Sequence, residues 1–224
     1  MQLYPQRPLR FIGRSSEEML VRAQDFFNLM QGRRSVRTFS DRHVPRALIE
    51  QAILTAGTAP SGAHREPWHF VAVSDRELQS KIREAAEKEE RESYERRMPK
   101  AWREAIDPLG TDWHKPFLET APWIVICFAK NVGDDGKKNY YVQESCGIAC
   151  GLFIAAIHNL GLVTLTHTPS PMRFLGEILG RPKNERAFIL FPVGYPAENT
   201  TVPDLQRKNL GELSTWHEEK TVRK

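Results

Sequence analysis

Apolar residues recur at helical spacing through Met19, Leu20, Ala23, Phe26, Phe27 and Met30. They lie between a Ser15-Ser16-Glu17-Glu18 capping box and a stop at Gly32, which predicts an amphipathic first helix. A second helix is predicted from near Pro45 through Leu48, Ile49, Ala52, Ile53 and Ala56, with Gly57 beyond its end. Trp68 to Val73 reads as a short strand. Ser74-Asp75-Arg76-Glu77 is a second capping box, opening a long charged helix to about Met98. That helix is polar on most faces beyond Ala86, so it either projects into solvent or covers something. Trp123 to Ala129 is continuously apolar and short, the pattern of a central strand. Val142 to Leu160 carries little charge after Glu144, and its Gly147, Ala149, Gly151, Ala155 and Ala156 predict a closely packed core helix. Leu162 to Thr168 and Ala187 to Gly194 complete the strands, with a helix over Pro171 to Leu179 ended by Gly180. From Pro196 the chain turns polar and proline-punctuated, an arm expected to pack on another surface such as a partner subunit. The interleaving predicts an α+β fold, a mixed central sheet of about four or five strands flanked by helices.

Composition narrows the picture. A chain of 224 residues with 40% hydrophobic content can bury roughly 70% of its unfolded surface without disulfides or metals. Charged residues at 27% exclude long disorder. A net charge of +4 is too small to imply nucleic-acid binding by itself. Cys127, Cys146 and Cys150 are odd in number, lack a C-x-x-C and sit among apolar residues, so buried thiols in a reducing compartment are expected. No metal site is expected, since two cysteines on one helix face do not make one. Met1 to Gly13 has no continuous apolar stretch, and no run approaches about 18 apolar residues. The expectation is a soluble, cytoplasmic chain.

Four segments carry candidate chemistry. Arg33-Arg34-Ser35-Val36-Arg37 places three guanidiniums and a hydroxyl just after a helix stop. Planar guanidinium forks suit a phosphate monoester, although a solvated basic turn fits the same pattern. Thr55 to His64 is small, hydroxyl-rich and punctuated by Pro60 and Gly62, so a ligand could approach its backbone N–H groups. An ordinary helix-to-strand loop is the alternative there. Leu165 to Pro169 ends an apolar strand, a common place for ligands. Glu90 and Tyr94 form an i,i+4 pair, and Lys115 follows; a carboxylate, a phenol and an ammonium can hold an amino-acid zwitterion. By pattern alone this trio does not stand out from its charged surroundings. G-x-G-x-x-G, P-loop, H-E-x-x-H and G-x-S-x-G motifs are all missing from the sequence.

Arg33 to Arg37 after an amphipathic helix, followed by Ala59 to His64 and Glu66-Pro67-Trp68, resembles the nitroreductase superfamily of flavoproteins. Thr58 to His64 with Glu90, Tyr94, Trp113 and Lys115 resembles one branch of it, the iodotyrosine deiodinases. The likeness continues through Ile148 to Gly151, Gly161 to Thr164, Thr166 to Pro169, Pro192 to Pro196 and Thr201 to Leu205. The resemblance implies a nitroreductase-like fold over residues 1–224 as one domain, with a lid insertion at about 84–116 and a C-terminal dimer arm at about 196–224. It implies an intertwined homodimer with FMN at each subunit interface. Arg33, Arg34, Ser35, Val36 and Arg37, together with Arg207, would bind the cofactor. Pro60 and Ser61 would border the flavin, while Thr166, His167 and Thr168 would run along it, with the Thr168 hydroxyl at N5 in the catalytic role. The Ala63 N–H would hold a substrate phenolate, Glu90 an ammonium, and Tyr94 and Lys115 a carboxylate. His167 departs from the hydroxyl residue familiar at its position.

The activity so implied is FMN-dependent reductive dehalogenation of halotyrosines in one-electron steps, with NAD(P)H or a reductase as electron donor. Lacking the anchor of vertebrate members, the chain resembles a soluble, bacterial-type relative. The alternative on the same fold is a broad NAD(P)H-dependent nitroreductase or flavin reductase. A basic protein binding nucleic acid through Arg33 to Arg37 is the third reading, against which aromatics are not interleaved with the basic run. Neither nucleic acid nor membrane is an expected partner.

Overall fold

The computed structural model describes residues 4–218; residues 1–3 and 219–224, the ends of the N-terminal segment and of the arm, lie outside the described residues. Helix α1 (Ser16–Gln31) is capped by Ser15, whose hydroxyl accepts from the Glu18 N–H at 3.2 Å. The Glu18 carboxylate pairs with Arg14, so only half of the predicted capping box forms. Helix α2 (Arg46–Ala56) leads through a one-turn 3₁₀ segment, Gly62–His64, into strand β1 (Trp68–Val73). Helix α3 (Arg76–Glu92) begins one residue beyond expectation: Asp75, not Ser74, is the cap, and its carboxylate accepts from the Leu78 N–H at 2.9 Å. A π-helical turn, Ser93–Arg97, continues α3 and is followed by α4 (Lys100–Ile106) and α5 (Phe117–Thr120). Strand β2 (Trp123–Lys130), helix α6 (Val142–Asn159), strand β3 (Val163–Thr164), helix α7 (Arg173–Ile178), strand β4 (Glu185–Gly194) and helix α8 (Leu210–Leu213) complete the chain.

The sheet runs β1-β2-β4-β3 with every strand pair antiparallel. Its parallel component is a single bridge between Ser35 and Thr164. Strand β2 is central, and its continuous apolar run is explained by cover on both faces. Trp123, Val125, Cys127 and Ala129 face α2 and α6, while Ile124, Ile126 and Phe128 face the side of α3, α5 and α7. The Trp123 indole N–H donates to the Val44 carbonyl at 2.8 Å, so this large ring is buried without an unpaired donor.

Strand β3 is shorter than the predicted Leu162 to Thr168, and Pro192 explains it. His167 and Leu190 exchange two backbone hydrogen bonds, of 2.9 and 3.0 Å. In that register the next bonded pair is Leu165 with Pro192, and proline has no N–H to give. The Thr164 hydroxyl takes the Pro192 carbonyl instead, at 2.7 Å. Strand character therefore lapses at Leu165 and returns only as a single bridge at His167, whose neighbours Thr166 and Thr168 line a cavity.

Two surface features depart from a self-contained core. Helix α1 buries none of its residues, and Phe26 is 60% exposed. On α6, Cys146, Ala149, Cys150, Phe153 and Ile157 pack inward, but a Cβ added at Gly147 or Gly151 would meet nothing within 4 Å. The small residues read from the sequence as close-packing positions thus face open space within one chain. All three cysteines are buried and free. No helix among the described residues is long and apolar enough to cross a membrane.

Candidate active site

The Arg33 to Arg37 segment leaves α1 and runs beside β3, with the Val36 N–H donating to the Thr164 carbonyl at 3.3 Å. The arm after Pro196 returns across it. The Arg207 guanidinium donates to the Gln31 and Arg33 carbonyls at 2.9 and 2.6 Å, and Arg34 donates to the Pro203 carbonyl. Arg33, Arg34, Ser35, Arg37 and Arg207 thereby line one cavity of about 320 Å³. Among the described residues none of these four guanidiniums pairs with a carboxylate. Burial, then the neighbouring charges of Arg207 and Arg34, lower the Arg33 pKa, the mark of an uncompensated positive cluster. The chemistry fits a phosphate dianion, and hence the terminal group of FMN. Val36 contributes through its backbone only, since its side chain is buried.

Arg37 also lines a second cavity of about 450 Å³, shared with Glu90, Tyr94, Lys115, Thr166, His167 and Thr168. The structure therefore brings the Glu90/Tyr94/Lys115 trio to the end of the Thr166 to Thr168 segment. Helix α3 supplies Glu90, and the π-turn directly after it supplies Tyr94. Such turns recur at functional sites because they re-aim side chains, and the hydrophobic pattern of this segment carries no sign of one. Lys115 is held from behind: its N–H donates to the Glu87 carboxylate at 2.7 Å, and its ammonium donates to the Asp112 carbonyl. The Tyr94 hydroxyl donates to the Thr111 carbonyl at 3.3 Å, and the Lys115 ammonium lies 5.6 Å from the Tyr94 ring centroid.

Glu90 and Lys115 form an ion pair at 3.7 Å, longer than a hydrogen bond, with Lys115 only 4% exposed. The pair under-compensates its burial. Desolvation raises the Glu90 pKa, and Lys115 and Arg97 offset this only in part. Desolvation lowers the Lys115 pKa, against which Glu90 and Asp112 are insufficient. Burial likewise raises the Tyr94 pKa, keeping the phenol a donor. Each partner of the ion pair would gain from one further opposite charge.

The three central residues of the strand end do not share an orientation. Thr166 and Thr168 are exposed, whereas His167 between them is buried, as the alternation of extended backbone requires. The His167 ring turns towards Phe117 and Glu90, away from the threonine face. Its side chain therefore does not join Thr166 and Thr168 on the face where it was expected.

Pro60, Ser61 and Ala63 are not brought to either cavity. Their loop precedes β1 at the far end of β2, where the Lys130 N–H meets the Pro67 carbonyl. It is a strained loop: Ala63, His64 and Glu66 all have positive φ, of 50, 53 and 44°. Its turn is closed by the His64 and Arg65 N–H groups, and the Ala63 N–H takes part in neither bond. At Gly62 a Cβ would lie 2.9 Å from Tyr141 Cδ2 and 3.1 Å from the Tyr140 carbonyl, so only glycine fits.

Trp102, Ile106, Thr111 and Phe117 also line the larger cavity, and sequence reasoning did not single them out. Trp102 is 55% exposed on the short helix α4. A large aromatic in an otherwise charged helical stretch was the available signal.

The chain is similar to known proteins over most of its length. A family model described as the nitroreductase family matches residues 30–195. The chain is 60% identical over 197 residues to an iodotyrosine deiodinase of Haliscomenobacter hydrossis, covering 86% of this chain and 89% of that protein. It is 46% identical over 204 residues to iodotyrosine deiodinase 1 of Homo sapiens, covering 88% of this chain and 70% of that one. A crystal structure of an oxidized iodotyrosine deiodinase bound to FMN and 3-iodo-L-tyrosine matches with a TM-score of 0.75 at 29% identity, covering 83% of this chain and 96% of that one.

Proposed function

The chain belongs to the nitroreductase family, and from that premise we propose that it removes halide reductively from halotyrosines with FMN as cofactor. The observation that carries this reading is the under-compensated Glu90–Lys115 pair, in a cavity joined through Arg37 to the guanidinium cluster. An amino-acid zwitterion supplies both missing charges at once: its ammonium to Glu90 and its carboxylate to Lys115 and Tyr94. A neutral or nonpolar aromatic would leave the pair as it is, which argues for a selective enzyme over a broad nitroreductase.

When bound, FMN supplies the electrons, two per turnover in one-electron steps. The overall change is one halotyrosine, two electrons and one proton to one tyrosine and one halide ion. Arg33, Arg34, Ser35, Arg37 and Arg207 would hold the phosphate end through charge-assisted hydrogen bonds. Thr166 and Thr168 would present hydroxyls to the ring system, the Thr168 O–H being the hydrogen-bond donor that would tune it. The segment 84–116 acts as the lid that excludes water. NAD(P)H or a reductase is the proposed electron donor, and the three buried free thiols support a cytoplasmic setting.

The working unit is a homodimer. The Ala63 loop, set apart from the cavity in its own chain, is supplied by a second copy, whose Ala63 N–H donates to the substrate phenolate and favours it over the phenol. The exposed apolar face of α1 and the open Gly147 and Gly151 positions on α6 support such an interface.

The test is anaerobic reduction of the FMN-loaded protein, addition of 3-iodotyrosine and detection of free iodide, beside turnover of a nitroaromatic. Stoichiometric iodide release supports the reading. Nitroaromatic turnover without iodide release replaces it with that of a general reductase.

A further inference from the structure

A buried histidine is ordinarily satisfied at both ring nitrogens, and an unpaired buried nitrogen needs an explanation. His167 is 8% exposed, and its Nε2 has no hydrogen-bond partner. The nearest carboxylate oxygen is Glu90 Oε1, at 3.9 Å. The opposite oxygen, Oε2, faces the Lys115 ammonium at 3.7 Å. Glu90 therefore stands between two donors, each a little over half an ångström beyond the hydrogen-bond range of about 2.7–3.2 Å.

We propose that His167 is the positioning residue for Glu90: on substrate binding its Nε2–H donates to Oε1, fixing the carboxylate against the substrate ammonium. The inference rests on the halotyrosine reading above.

Three observations support it. The ring is held by its surroundings, edge-on to Phe117 with centroids 5.6 Å apart, while its backbone is pinned to Leu190 on both sides. Nε2 is inaccessible, so it reaches the substrate only through Glu90. The imidazole is neutral: burial, then the charges of Lys115 and Arg37, push its pKa down to about 3. A neutral ring donates to Glu90 without competing with the incoming ammonium for its negative charge. An ionised carboxylate has about four acceptor sites, enough for His167, Lys115 and the ligand together. A hydroxyl at this position would be too short to span the same gap.

The ionisable groups around this contact are Glu90, Tyr94 and Arg97 from α3 and its π-turn, Lys115 and Asp112 from the segment before α5, and Arg37. Because Nε2 donates to Glu90 only in the complex, its removal weakens binding where Glu90 is ionised and changes nothing where Glu90 is protonated.

The experiment measures binding of 3-iodotyrosine, and of 3-(3-iodo-4-hydroxyphenyl)propionate, which lacks the amino group, to FMN-loaded wild type, H167L and H167Q across pH. For H167L we expect 3-iodotyrosine affinity to fall about 15- to 40-fold, the lower part of the range for a hydrogen bond to a charged group. The loss should shrink as pH falls and Glu90 protonates, with the des-amino ligand unaffected. H167Q, whose side-chain amide N–H can donate to Oε1, should restore most of the affinity where Glu90 is ionised. Unchanged 3-iodotyrosine binding in H167L, or equal losses for the two ligands, overturns the positioning role, as does an H167Q no better than H167L. If the wild-type protein releases no iodide from 3-iodotyrosine, the dehalogenase reading fails instead, and the failures are told apart on the wild-type arm.

Discussion

Replacing Glu90 by glutamine is the sharpest perturbation of the proposed clamp, because it changes charge at nearly constant shape. Two unit charges about 4 Å apart attract by about 4 kcal/mol at an effective dielectric of about 20. Much of that is spent on desolvating a ligand ammonium, leaving a net of about 1.5–3 kcal/mol for a hydrogen bond to a charged group. The glutamine carbonyl still accepts from the ammonium and retains about 0.5–1.5 kcal/mol of it. The expected loss is therefore about 1–2 kcal/mol, or about 5- to 30-fold in Kd. Calorimetric titration of the FMN-loaded protein with 3-iodotyrosine measures it directly. The des-amino analogue is the control. It brings a carboxylate and no ammonium, so it should bind Glu90→Gln at least as well as wild type, with a buried like charge removed. Equal affinity of wild type and variant for 3-iodotyrosine would refute the clamp. Parallel losses for both ligands would mean that the substitution had merely disturbed the lid.

Proton linkage offers an independent check. Burial raises the Glu90 pKa above its ordinary 4.5, and a bound ammonium pulls it back, so binding just above that pH should release a proton and weaken as pH falls. Burial lowers the Lys115 pKa below 10.5 and a bound carboxylate restores it, so on the alkaline side binding should take up a proton and weaken as pH rises. Titrations in buffers of different ionisation heat read both signs, and identical heats throughout would contradict them. Arg207→Ala deletes the guanidinium that donates to Gln31 and Arg33. It should cut FMN retention on dialysis about tenfold or more, on the scale of one charge-assisted hydrogen bond; full retention would remove Arg207 from the phosphate site. Thr168→Ala should keep FMN bound yet lower the iodide release rate, and an unchanged rate would end its catalytic assignment.

Much of the fold was legible because local chemistry dictated it. Ser15 caps α1 through its side-chain oxygen, Gly57 follows α2, and the apolar run at β2 needs cover on both faces wherever it sits, whereas the α3 cap fell on Asp75 and not on the expected Ser74. The placement of Gly147 and Gly151 was not legible, because a run of small residues looks the same whether its partner is in the same chain or another. The truncated β3 depended on which Leu165 neighbour lacked an N–H, a question of register with Pro192 that no single segment contains.

The candidate site divides in the same way. Sequence by itself determined the chemical inventory: clustered guanidiniums that suit phosphate, a carboxylate and an ammonium that suit a zwitterion, hydroxyls at a strand end. Charge and hydrogen-bonding capacity belong to the residue, so they can be read in order along the chain. Tertiary structure decided which of these groups meet and in what state. It carried Arg207 back to Arg33, turned His167 away from its threonine neighbours towards Glu90, and left Ala63 outside the cavity. It also buried Glu90 and Lys115 together. Burial and distance set the cost of a charge, and both come from packing between segments remote in sequence.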